Sequence, residues 1–122
     1  MSLYSDRVLL LNLVAATTSS SGPWVDLSGY QHGVLFVVTT AFSGTSWTPA
    51  AAVNTSPDNG AHSLALPGTE WAAAWAAIST APNTQRAVIP VPQGVLNLGW
   101  IQVPYTITAA TVTANMYFVG HV

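Results

Sequence analysis

The chain has 122 residues, of which two are basic and four acidic, so charged residues make up 5% where about 25% is usual. Two cations are too few to bind nucleic acid by counterion release or to hold an anionic membrane surface, and the absence of cysteine excludes disulfides and thiolate metal sites. Half the residues are hydrophobic and five are Trp, which excludes disorder, while no apolar run approaches the ~20 residues of a membrane-spanning helix.

Residues 1–6 read as an N-terminal arm, and Asp6 and Arg7 ahead of a short apolar run make a poor signal peptide. Residues 7–15 and 34–41 are nearly continuous apolar runs, the pattern of strands covered on both faces. Between them, Ser19 to Gly22 reads as a loop and 23–27 as a short strand ending in a turn at Ser28 and Gly29. Strands are predicted over 50–54 and 63–66, separated by the dense turn signal Ser56-Pro57-Asp58-Asn59-Gly60.

A short helix is predicted over 70–78: Thr69 is a suitable N-cap, alanine is the best helix former, and Trp71, Trp75 and Ile78 recur at helical spacing. Residues 87–91 form another strand candidate. In 101–108 the apolar Ile101, Val103, Tyr105 and Ile107 alternate with polar residues or proline, and Val112, Ala114, Met116 and Phe118 repeat this after Ala109 and Ala110. This reads as a β-hairpin with one face in a core, its first strand at an edge or bulged at Pro104, which lacks a backbone donor. The whole chain is therefore expected to be one all-β domain, a single β-sandwich or jelly-roll of about seven or eight antiparallel strands with one short helix near 70–78.

The stock of chemistry is small. His32, His62 and His121 follow no metal-ligand spacing and read as surface or half-buried histidines, with their convergence on one site as the alternative. No GxSxG elbow exists, and Asp26, Asp58 and Glu70 each have a structural reason to be acidic, in a turn or at a helix start. The glycines form no phosphate-binding run, and the sequon Asn54-Thr55-Ser56 is followed by Pro57. No catalytic, cofactor-binding or metal-binding residue is expected, and no enzyme activity. Trp24, Trp47, Trp71, Trp75 and Trp100 suit either a sugar platform or packing; the packing reading puts Trp24 and Trp100 in the core and the others at sandwich ends or a subunit interface.

Some segments resemble a known family. Val25-Asp26-Leu27-Ser28-Gly29-Tyr30 ahead of the apolar strand Val34-Leu35-Phe36-Val37-Val38, the central Ser56-Pro57-Asp58-Asn59-Gly60, and the ending Tyr117-Phe118-Val119-Gly120-His121 resemble small β-rich structural proteins of tailed bacteriophages. The chain departs from that pattern in the recast region 67–82 and in its missing scatter of charge. The resemblance implies a virion component, a head decoration (cement) protein located on the outer surface of the capsid and bound to the major capsid protein shell. A phage tail or neck protein and a carbohydrate-binding β-sandwich module are the alternatives.

Surface charge leads to a related expectation. Spread over the roughly 6,200 Å² that a folded chain of this size exposes, six charges leave fewer than one per ~800 Å², the area one partner gives to a standard interface. Such a surface suits a subunit that is covered by other protein, as a homotrimer or another homo-oligomer, with no nucleic-acid or membrane partner. The contact elements expected are Ser2, Leu3 and Tyr4 of the arm and Trp71, Trp75 and Ile78 of the apolar segment.

Overall fold

The computed structural model describes residues 5–49, 52–67, 86–90, 96 and 98–121. Among these the chain is nearly all strand: β1 (Ser5–Ala16), β2 (Ser20–Ser21), β3 (Val25–Asp26), β4 (His32–Pro49), β5 (Ala52–Ser56), β6 (Leu64–Pro67), β7 (Arg86–Pro90), β8 (Trp100–Gln102) and β9 (Pro104–His121). They form two antiparallel sheets, a large one in the order β1-β9-β4-β7 with β2 also on β9, and a small one in the order β3-β8-β5-β6. Leu27, Val53 and Ile101 of the small-sheet region join Leu35, Val37, Met116 and Phe118 of the large sheet in one buried cluster. The all-β, sandwich-like fold expected from composition is the one observed. The predicted helix over 70–78 and residues 1–4 of the expected arm lie outside the described residues, while Ser5 and Asp6, expected in that arm over 1–6, already belong to β1 and pair with His121 and Gly120.

The predicted C-terminal hairpin is not formed. β9 runs unbroken for 18 residues and pairs along its length with the equally long β4, from His32 opposite His121 to Pro49 opposite Tyr105. A two-residue reversal needs positive φ at its first central position, and in the type I′ turn at both, which favours Gly, Asn or Asp, and Ala109-Ala110 contains none of these residues. The chain bends there instead: Ala109 has φ 46° and Gly44, in the facing strand, has φ 123°. A Cβ at Gly44 would collide with the Ala109 carbonyl and Ala110 Cα, so the two strands approach at a point only glycine permits.

Pro104 does mark a break. The chain leaves the small sheet after β8 and enters the large one at β9, so the missing donor falls where the ladder changes. Ser19 to Gly22, read as a loop, is also strand-like: Ser20 and Ser21 pair with Tyr105 and Pro104. Ser19 Oγ accepts from the Ile107 N–H at 2.8 Å and donates to the Ile107 carbonyl at 3.3 Å, a side chain standing in for a ladder neighbour.

The apolar runs are not covered equally on both faces. In β4, Gly33, Leu35, Val37 and Thr39 are buried and alternate with half-buried Val34, Phe36 and Val38. In β1, Leu10, Leu11 and Leu13 are buried whereas Leu9 is 44% and Val14 74% exposed. β1 is bulged between Leu9 and Leu11 and again between Leu13 and Ala16, and β4 between Thr39 and Ala41. Thr113 serves two of these irregularities, since its Oγ1 accepts from the Ala15 N–H at 3.0 Å and its carbonyl accepts from Thr40 Oγ1 at 3.2 Å.

The tryptophans are also redistributed. Trp47 is 1% exposed and among the largest fully buried side chains, while Trp24 and Trp100, expected in the core, are half-buried. The physical reason is the parity of the strands. Trp47 falls opposite Ile107, a core-facing position of β9, whereas Trp100 precedes the core-facing Ile101 and so takes the other face of β8.

Candidate functional site

The six contact residues expected from sequence, Ser2, Leu3, Tyr4, Trp71, Trp75 and Ile78, lie outside the described residues. The described sheets present three other places where chemistry or contact can occur.

The first is the outer face of the large sheet. Register places Val34, Val119 and Arg7 in one row, Phe36, Tyr117 and Leu9 in the next, and Val38 with Asn115 and Asn12 in a third. On β7, Pro90, Val88 and Arg86 pair in register with Val34, Phe36 and Val38. Two adjacent rows of this face are therefore apolar except for Arg7, whose guanidinium carbon lies 5.0 Å above the Tyr117 ring centre. The ring quadrupole holds that cation over the sheet. The sequence signals these residues only as strand formers; their shared face emerges from the pairing of β1, β4 and β9.

The second is the turn after β5, which gathers serine, aspartate and histidine. Asp58 accepts from the Ser56 hydroxyl at 2.8 Å, from the His62 N–H at 2.8 Å, and holds His62 Nδ1 at 2.6 Å. The His62 ring, followed by its N–H and the Ser56 hydroxyl, holds the Asp58 carboxyl down at about 2, and the same pairing raises His62. In a nucleophilic triad the histidine stands between serine and carboxylate. Here the carboxylate is in the middle, and Ser56 Oγ, on a fully buried residue, accepts from the Asp58 and Gly60 N–H groups at 3.1 and 2.8 Å. The arrangement closes a turn and does not activate Ser56. Asp26 acts similarly, accepting from the hydroxyl and N–H of Ser28, which lower its pKa.

The third is the outer face of the small sheet. Trp100 pairs in register with Asp26 on one side and Ser56 on the other. In the next outward row the Asn54 amide donates to Gln102 Oε1 at 3.0 Å. Trp24 lies against Gly60, where any Cβ would strike its indole. An aromatic ring beside a carboxylate and paired amides is the composition that sugars recognise, although the sheet offers it as a surface.

Among the described residues no three His, Asp or Glu side chains gather in a group able to hold a metal ion. Two of the three histidines are nevertheless neighbours: His32 and His121 stack with ring centres 5.3 Å apart and planes 21° apart. Nothing local in the sequence signals this, because the two stand at opposite ends of long strands that pair only in the folded chain. Compared with protein-family models, with curated proteins and with solved structures, the chain matches none.

Proposed function

We propose that this chain is a non-enzymatic structural subunit of a phage virion, of the capsid decoration type, which self-associates and binds the outer surface of the major capsid protein shell. The observation that carries the association part is the outer face of the large sheet, where Leu9, Val34, Phe36, Tyr117 and Val119 adjoin with a single cation among them. Burying such a face removes apolar surface from water at roughly 25 cal/mol per Å², less the cost of association. The β1 edge of the same sheet is poorly suited to adding another strand, because β1 is bulged twice. The apolar rows favour association by face, and repeated sites on a shell would add avidity to weak contacts. The phage part rests on the motif resemblance of Val25 to Tyr30, Ser56 to Gly60 and Tyr117 to His121.

The test is a reconstruction of the virion whose genome encodes the chain. Density for this sandwich on the exterior of the head supports the proposal, density confined to tail or neck supports the first alternative, and its absence from the particle overturns the virion reading. One observation favours the carbohydrate alternative, the Trp100 surface flanked by Asp26 and the Asn54–Gln102 pair. A glycan array read with wild type and Trp100→Ala tests it.

A further inference from the structure

His32 opens β4 and His121 ends β9, and the ladder sets them directly opposite each other. Neither is core: His32 is exposed and His121 half-buried. Their backbone is held, since the Gln31 N–H donates to the His121 carbonyl at 3.0 Å and the next rung, Gly33 with Gly120, is buried. That rung has no side chains because the rings of Phe118 and Tyr30 fill the space. These rings meet edge to face with centres 5.2 Å apart.

The spacing of the two imidazoles has a chemical meaning. A tetrahedral zinc with Zn–N bonds of about 2.0–2.1 Å, each in line with a ring centre roughly 1.2 Å further on, holds two such centres about 5.2 Å apart. The observed separation is 5.3 Å. Ring planes only 21° apart meet far beyond bonding distance, so chelation requires each ring to turn about χ2, a broad and soft torsion, while the backbone stays in place. The described cation nearest in register, Arg7, stands opposite Val119, and its guanidinium is drawn over Tyr117, on the far side of Val119 from the histidines. His62 belongs to a different place, with its Nδ1 engaged by Asp58.

We infer that His32 and His121 form a two-histidine site for a divalent transition-metal ion of the zinc, nickel or copper type, whose remaining coordination positions are taken by water. Imidazole nitrogen suits these ions, and a cross-strand pair supplies two rings whose centres already stand at the separation of a chelating pair. The site needs no other protein, so it stands apart from the virion reading.

Isothermal titration of the full chain with zinc chloride tests it. Wild type should bind one ion per chain, His32→Ala and His121→Ala should each lose that binding, and His62→Ala should keep it. Circular dichroism establishes that the variants are folded. Should either alanine variant unfold, NMR of wild-type imidazole nitrogens decides: added zinc must shift the resonances of His32 and His121 and leave those of His62 in place. No binding by wild type, binding that survives both the His32 and His121 substitutions, or shifts at His62 alone would overturn the inference.

Discussion

Gly44 stands opposite Ala110 where the two longest strands bend together, and the bend is made by a glycine at φ 123° facing an alanine pair whose first member is at φ 46°. The sterically permissive residue and the strained one are on different strands. Gly44→Ala is expected to destabilise by at least ~1–2 kcal/mol from the left-handed backbone alone, more once the collision with Ala109 and Ala110 is included. Ala109→Gly relieves a similar strain, offset by about 0.5–1 kcal/mol of extra chain entropy, so it should be neutral or stabilising by under ~1 kcal/mol. Urea unfolding of both variants checks the opposite signs.

Thr39 is 1% exposed, and its hydroxyl has no hydrogen-bond partner among the described residues. Valine has nearly the same shape and no polar atom. Thr39→Val should therefore raise stability by about 1 kcal/mol, the value of removing an unsatisfied buried hydroxyl. A lowered urea midpoint would mean that the hydroxyl is satisfied in solution.

Asp58 and His62 predict a stability window. The carboxyl titrates lower in the folded chain, at about 2 against an ordinary 3.8, so its contribution is present above 3.8 and is lost as pH falls toward 2. His62 titrates higher than its ordinary 6.5, so its contribution is complete below 6.5 and is lost as pH rises through the raised value. The pair thus favours folding most between about pH 4 and 6.5. Thermal midpoints of wild type and Asp58→Asn, measured across pH, should differ most within this window, differ less above it where the His62 part is lost, and converge below it as the carboxyl takes up its proton. The acid limb should persist in part, because Asp26 is lowered as well.

Association through the large sheet should be nearly indifferent to salt, since only Arg7 supplies charge among the two apolar rows that β1, β4 and β9 present. Light scattering at micromolar concentration is expected to give an oligomer at low and high ionic strength alike. Leu9→Lys, at a 44% exposed position, should release monomers that remain folded. A monodisperse wild-type monomer, or an oligomer dissolved by salt, counts against face-to-face association.

Trp47 and Trp100 should behave as opposites. Trp47→Ala empties the centre of the core and is expected to cost about 3–5 kcal/mol. Trp100→Ala leaves the core intact and should fold, which makes it the usable probe of sugar binding. Circular dichroism melts of the two variants separate these outcomes.

Local signals located most strands but not their partners. Alternation from Ile101 to Phe118 is plain in the sequence, yet it looks the same in a hairpin and in one strand with a bend, since both keep period two on either side of Ala109. Trp47 lies in a polar stretch, Thr45 to Thr48, so hydropathy gives no hint that the second half of β4 reaches the core. The candidate surfaces were hidden for a related reason. Leu9, Phe36 and Tyr117 become one row, and His32 and His121 one pair, only through ladders between distant segments. Propensity describes a residue's neighbours along the chain, and these sites consist of neighbours across it.

β9 lies between β1 and β4 and also carries β2. Its pairings reach from His121 back to Ser5 and His32, so the largest ladders join the end of the described chain to its beginning. Such contacts require long loops to close before they yield stabilisation, which places the fold among slow folders. A nascent chain lacking β9 has β1 and β4 without their shared neighbour, two long apolar strands open to unwanted pairing. The same strand that organises the mature sheet therefore sets the interval during synthesis in which the chain is most prone to aggregate.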